Sequence, residues 1–299
     1  MLGRHSSHYV PYLLLVLTSL FWAGNGIAGR LAATSNIEPL ALTFWRWLAA
    51  LAFIVPFALP YIFAERVALV RHWRILTILG ALSVTAFTAF YYYALSLSTA
   101  INVTLVAATM PAAIVGLSWL LFRETVTSRA LIGMLVAFIG VVAIIARGDV
   151  SVLWELGFNP GDLVALGAVF TWALYSVLLR YRPRELHSLT FLTGIILPGV
   201  IINLVVLLID ADSVSVTFNW SNVALIAYVG LFPSVLAYVF FNSGVKAVGA
   251  NISGQFGYLV PLFAAFLAVA ILGETFETYH FIGMTVIFAG LYLASRSRT

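Results

Sequence analysis

Along this chain the polar residues fall in short clusters, and between the clusters lie ten apolar runs of roughly 20 residues each. The runs extend from Tyr9 to Ala28, Pro39 to Phe63, Arg74 to Leu97, Ala100 to Phe122, Arg129 to Ala146, Asp162 to Leu179, Leu186 to Ile209, Asn222 to Gly244, Ala250 to Leu272 and Thr278 to Ser295. The hydrocarbon core of a bilayer, about 30 Å thick, takes about 20 apolar residues of α-helix, so each run is long enough to cross it. A transmembrane β-strand would instead alternate lipid-facing and lumen-facing residues over about ten positions. These runs are continuously apolar, which predicts an all-α polytopic membrane protein with ten transmembrane helices.

Composition narrows the class further. The 299 residues are 63% hydrophobic and 9% charged, against about 45–50% and about 25% in soluble domains. That balance excludes a water-soluble enzyme and a disordered chain. The net charge of +4 is dispersed over many short loops, which excludes nucleic acid as a partner and leaves the lipid bilayer as solvent. With no cysteine in the chain, disulfides, thiol catalysis and Cys-ligated metal sites are excluded as well. The first run follows a single basic residue, Arg4, and carries no small-residue cleavage site, so it reads as a retained helix.

The basic residues predict the orientation. With the N-terminus inside, the inner loops and ends hold Arg4, Arg66, Arg71, Arg74, Arg123, Arg129, Arg180, Arg182, Arg184, Lys246, Arg296 and Arg298, 12 of the 15. Only Arg30 and Arg147 fall outside, and Arg46 lies within the second run. Positive residues concentrate on the cytoplasmic side, so both termini are expected there, in a bacterial inner membrane.

Shifting the chain by 150 residues against itself aligns Trp22-Ala23 with Trp172-Ala173, Gly80 with Gly230, Phe90 with Phe240, and Pro111 with Pro261. The best block matches Ile132-Gly133-Met134, Val136, Phe138 and Gly140 to Ile282-Gly283-Met284, Val286, Phe288 and Gly290; Glu124-Thr125 matches Glu274-Thr275. Repetition of Trp, Pro, Glu and Met at one offset predicts two repeats, 1–147 and 162–299, joined by an outer linker at 148–161. Five helices per repeat force the halves into opposite orientations, an arrangement recurrent in transporters with a site near the midplane.

At these residues the chain resembles the EamA branch of the drug/metabolite transporter superfamily. The resemblance rests on Leu20-Phe21-Trp22-Ala23-Gly24-Asn25, on Trp172-Ala173, and on the Pro111…Glu124 and Pro261…Glu274 modules, and it spans essentially the whole chain. Within that branch the chain looks like the YddG-type aromatic amino-acid exporters. The resemblance implies a ten-helix basket whose central cavity is lined by the first, third, fourth, sixth, eighth and ninth helices.

Candidate chemistry is sparse. The histidines His5, His8, His72, His187 and His280 all fall at termini, loops or helix ends, so neither a catalytic constellation nor a metal site is expected, and no cofactor. Arg46 is the one ionisable residue clearly at membrane depth, about 10 Å from the outer surface at 1.5 Å per residue. It has two readings: a partner for a substrate carboxylate, or a side chain snorkelling outward between Trp45 and Trp47 in an aromatic belt. The absence of a basic counterpart 150 residues on favours the second. Glu124 and Glu274 each end a helix before a Thr/Ser cluster and read as structural.

The neutral polar residues Asn25, Asn102, Asn242 and Gln255 must find partners or water at membrane depth; interhelical hydrogen bonds would suffice, and the resemblance, in whose fold the first, third, fourth, eighth and ninth helices converge, implies that they line the cavity. Of the 43 aromatics, Trp22, Tyr92, Trp172, Tyr175, Tyr238 and Tyr258 combine a ring face with a donor near the expected cavity. Trp172 and Tyr175, three apart, share a helix face, whereas Tyr91-Tyr92-Tyr93 cannot all face one cavity. Pro111 and Pro261 remove a mid-membrane hydrogen bond each and are expected to be hinges. Gly133, Gly140, Gly283 and Gly290 form small-residue stripes for close helix contact.

The sequence thus predicts a monomeric secondary transporter or facilitator, not an enzyme. It would export small amphipathic metabolites, aromatic and other neutral amino acids foremost, by alternating access. The alternatives are a nucleotide-sugar or drug carrier of the same fold, or a membrane receptor or scaffold.

Overall fold

The structure is a computed structural model describing residues 9–35, 37–149, 151–154, 159–209, 216–272 and 277–295. Glu274, His5, His8 and part of the expected linker lie outside the described residues. The elements are α1 (Val10–Thr34), α2 (Pro39–Arg71), α3 (Trp73–Gly80), α4 (Phe87–Leu97), α5 (Ala100–Ala107), α6 (Met110–Phe122), α7 (Ser128–Ile145), α8 (Ser151–Trp154), α9 (Pro160–Leu178), α10 (Ser188–Ile209), α11 (Trp220–Val229), α12 (Ala237–Val248), α13 (Ala250–Gln255), α14 (Leu259–Leu272) and α15 (Thr278–Ser295). Among the described residues nine continuous helical stretches are long and apolar enough to cross a membrane, and Thr278–Ala294 is a shorter apolar helix. The surface is correspondingly apolar: Phe57, Val67, Leu135 and Phe281 are all more than half exposed. In water such a surface would aggregate, whereas in lipid it is solvated.

Some boundaries differ from the sequence reading. The second run continues as helix past Phe63 to Arg71, because Ala64 to Arg71 are mostly good helix formers. The third and eighth runs are helices interrupted by a wide π-type turn, at Ala81–Ala86 and Gly230–Leu236. The fourth and ninth runs are broken in the middle, between α5 and α6 and by a 3-10 turn at Phe256–Tyr258. Both pairs of irregularities recur at nearly the 150-residue offset.

Helix contacts follow the same offset. The contacts of α2 with α10 and of α7 with α15 each map onto themselves; α1 with α12 maps onto α9 with α4, and α1 with α14 onto α9 with α6. The tightest of these is α7 against α15. A methyl group added at Gly133 would sit 2.6 Å from the carbonyl oxygen of Gly290, and one at Gly140 would sit 2.7 Å from that of Gly283. The four glycines therefore let two backbones touch, as the stripes predicted. Gly140→Ala is expected to destabilise the protein by about 1–3 kcal/mol, because backbone cannot yield as a side-chain tip can. A thermal unfolding midpoint in detergent equal to wild type would reject this contact.

Candidate functional site

The site is built around Arg46. It lies two turns into α2, and its side chain is 2% exposed. Its Nε donates to Ser234 Oγ at 2.6 Å, and its Nη1 donates to Asn25 Oδ1 at 3.1 Å and to Tyr92 Oη at 2.9 Å. Tyr92 in turn donates to Asn25 Oδ1 at 2.9 Å. Nη2 takes no partner among the described residues. Ser234 stands in the π-type turn Gly230–Leu236, and its own hydroxyl donates back to the Val229 carbonyl, five residues earlier, at 2.6 Å. The wide turn thus brings a hydroxyl oxygen to the guanidinium, a use of π-bulges common at functional sites. The sequence reading of Arg46 as an outward snorkelling side chain is overturned. Its flanking residue Trp47 marks no belt either: it is fully buried, donates to Thr88 Oγ1 at 3.1 Å and meets Tyr238 edge-on at 5.0 Å.

Every oxygen around the guanidinium is neutral, and among the described residues no carboxylate pairs with it. An uncompensated arginine at membrane depth costs about 2.5–3.5 kcal/mol or more, so such residues mark functional sites. Arg46 lines a cavity of about 150 Å³ together with Trp22, Asn25, Phe87, Tyr91, Thr104, Ala107, Trp172, Gly257 and Pro261. One wall of this cavity is therefore cationic and polar, the other aromatic.

Below it lies a layer of packed rings. Trp172 meets Trp22 edge-on at 4.9 Å, and contacts Phe87, Tyr175, Tyr238 and Phe241 at 4.7–5.4 Å between centroids. Trp172, Tyr175, Tyr238 and Phe241 are essentially inaccessible, whereas Trp22 is half-buried. Beyond the layer a second, wider cavity of about 530 Å³ opens, a vestibule lined by Ser118, Glu124, Ser176, Arg180, Arg182, Arg184, Asn242 and Lys246 among others. Glu124 pairs there with Arg180 at 3.0 Å. Burial lowers the Arg182 guanidinium from its usual range, but an arginine stays charged.

The sequence-predicted residues separate into three groups. Trp22, Asn25 and Trp172 line the central cavity, and Asn242 lines the vestibule. Tyr92 reaches the site through Arg46, Tyr175 donates to Asn242 Oδ1 at 2.7 Å, and Tyr238 donates to the Ser83 carbonyl at 2.9 Å within the ring layer. Asn102, Gln255 and Tyr258 line neither cavity. Asn102 sits in the first turn of α5 and donates to Asp162 Oδ2 at 3.3 Å, where Asn159 and Asp162 form a capping box at the start of α9. Tyr258 belongs to a separate core with Met134, Val141, Leu262 and Ile287. Gln255 is buried at the end of α13.

Pro111 and Pro261 are not mid-helix kinks. Pro111 is the second residue of α6 and Pro261 the third of α14, each just past the break in its run. A proline has no N–H for the carbonyl four residues earlier; these are Ala107 and Gly257, and both line the central cavity.

Sequence reasoning missed one pairing. Asn25 and Tyr175 stand 150 residues apart, and so do Tyr92 and Asn242. The tyrosine-to-asparagine bond thus occurs twice at equivalent positions with the residue types exchanged, at 2.9 Å and 2.7 Å. A self-alignment that scored exchange as well as identity would have found it.

The chain is thus an all-helical membrane fold with a buried, arginine-lined cavity at its centre and a basic vestibule beyond a layer of rings. The EamA-like transporter family matches residues 10–146 and again 159–296, and the chain belongs to that family. Among its relatives, an uncharacterized transporter of Archaeoglobus fulgidus is 30% identical over 95% of this chain and 96% of its own length. The uncharacterized transporter YyaM of Bacillus subtilis is 26% identical over 96% and 94%, and Protein PecM of Dickeya dadantii 30% over 74% and 73%. One solved crystal structure superposes with a TM-score of 0.79 at 21% identity, covering 97% of this chain and 99% of the other, which establishes the shared fold.

Trp172 and Trp22 differ in what they hold. Trp172→Ala is expected to lower stability by about 3–5 kcal/mol, since it empties the centre of the ring layer. Trp22→Ala, at a half-buried position, should shift the unfolding midpoint much less. Equal midpoint shifts for the two variants in detergent would show that the layer is not centred on Trp172.

Proposed function

We propose that the chain is a secondary transporter or facilitator that exports small amphipathic metabolites, aromatic and other neutral amino acids foremost. The observation that carries this is the Arg46 guanidinium, buried without a counter-charge beside Trp22, Phe87, Tyr91 and Trp172. A bound carboxylate would supply the missing charge through a charge-assisted bond to Nη2, while the rings would receive an aromatic or apolar side chain. The size of the cavity supports the same class: about 150 Å³ is small beside the roughly 300–1,000 Å³ of sites for drug-sized ligands. This favours amino-acid-sized cargo over a nucleotide sugar.

In this reading the chain is a monomer of ten helices in two inverted five-helix repeats, 1–147 and 162–299, with an outer linker at 148–161. The self-mapping helix contacts and the matched breaks support it. The basic residues around the vestibule support a cytoplasmic placement of that side and of both termini, in a bacterial inner membrane. The ring layer would then be the closed cytoplasmic gate, and the breaks before Pro111 and Pro261 the hinges.

Radiolabelled L-phenylalanine counterflow in proteoliposomes tests this. Saturable exchange is expected, and Arg46→Gln should reduce it about tenfold or more, the worth of a hydrogen bond to a charged group. Absence of saturable exchange for every neutral amino acid, with folded protein, would reject the reading. Exchange should also persist without a proton gradient, because among the described residues no carboxylate lines the central cavity; flux seen only with an imposed gradient and freed from it by Glu124→Gln would contradict this. Pro111→Ala or Pro261→Ala restores an N–H beside the break and should slow turnover with little change in half-saturation. Unchanged turnover in both would remove the hinges.

A further inference from the structure

The vestibule holds chemistry that the central cavity does not use. Asn242 is 4% exposed, and its Oδ1 is taken by the Tyr175 hydroxyl at 2.7 Å. With the amide oriented this way Nδ2 is the end left over, and it is buried with no hydrogen-bond partner among the described residues. On the same wall Arg182 gives Nη2 to Ser188 Oγ at 3.1 Å and lays its guanidinium over the Phe191 ring at 4.5 Å, while its Nη1 is also buried and unpartnered. A buried donor without an acceptor is costly to leave unmet. Asn242 and Arg182 both line the vestibule, so a ligand oxygen held there would have these two unused donors directly behind the cavity surface. Arg180, Arg184 and Lys246 are exposed around them. Among the described residues the only acid on that lining is Glu124, and it is paired with Arg180.

The exchanged pairing gives this wall a precedent within the same molecule. In the central cavity a Tyr92-to-Asn25 bond stands beside Arg46; in the vestibule the equivalent Tyr175-to-Asn242 bond stands on a wall with Arg182. The cation comes from a different position in each half, α2 in one and the segment after α9 in the other. We propose that Asn242 and Arg182 form a second carboxylate-binding station, on the vestibule side of the ring layer, so that a carboxylate ligand has one polar anchor on each side of the gate. Its ligand class follows the carboxylate reading of the Arg46 cavity; its donors stand independently of it. A station before the gate would gather anionic or zwitterionic cargo from the cationic vestibule and hold it one helical turn from Trp172, on the α9 face that carries Ser176.

Equilibrium binding of radiolabelled benzoate to the full chain in nanodiscs of neutral lipid counts the stations. Wild type is expected to bind two per chain. Asn242→Asp keeps the acceptor for Tyr175 but replaces the free donor with a negative charge, and should leave one; Arg46→Gln should remove the other. Lys246→Glu alters only an exposed side chain, and should weaken the vestibule station about threefold or more by reversing a nearby charge; it decides the matter if Asn242→Asp does not fold. The proposal is overturned if wild type binds no benzoate. It is also overturned if one site is present, lost in Arg46→Gln and unchanged in Asn242→Asp or Lys246→Glu. Absence of L-phenylalanine exchange alongside a count of two would reject the amino-acid reading alone and leave the station standing.

Discussion

A guanidinium held at membrane depth by three neutral oxygens organises the centre of this protein. Arg46 draws its partners from three separate places: Asn25 on α1, Tyr92 on α4 and Ser234 in the turn between α11 and α12. Removing the charge would leave those oxygens short of a donor, and removing any one oxygen would leave the buried cation less well solvated. The helices are thus fixed relative to one another by a group whose own charge is left unbalanced. The proposed carboxylate would supply the charge that this centre lacks.

Equivalent positions recur throughout the fold, though not always with the same residue. The π-type turns and the breaks before Pro111 and Pro261 repeat, and so do the Gly133 to Gly290 and Gly140 to Gly283 contacts. The two tyrosine-to-asparagine bonds repeat with the partners exchanged. Exchange preserves the bond while changing which helix carries the ring and which the amide. Each face of the ring layer thereby acquires the same kind of polar anchor in different surroundings, with a cation supplied locally. A ligand moving between the faces would meet similar chemistry on each, which suits exchange better than one-way capture.

Much of this was legible in the apolar runs and their offset. Length and continuity located the helices, and the repeated glycines located the α7 to α15 contact, because both depend on local composition alone. Trp22 and Trp172 were legible because they repeat at the offset, and Asn25 because a neutral amide at membrane depth must find a partner. Asn102 was misplaced because its partner, Asp162, is 60 residues away at the mouth of α9, and a capping network looks like a cavity residue when only one member is considered. Tyr258 was misplaced because a 3-10 turn rotates it away from its neighbour Gly257, which does line the cavity. Arg46 was misread because flanking tryptophans suggest a belt. Its true setting depends on a wide turn 188 residues later in the chain, which no local pattern announces.

The central claim is that the cavity selects for a carboxylate through Arg46, and competition by substrate fragments tests it most directly. In L-phenylalanine counterflow, 3-phenylpropanoate, which lacks the ammonium group, is compared with phenethylamine, which lacks the carboxylate. The account predicts that 3-phenylpropanoate competes in wild type and loses that ability in Arg46→Gln, while phenethylamine competes weakly in both. Competition by phenethylamine equal to that of 3-phenylpropanoate, unchanged in Arg46→Gln, would contradict it.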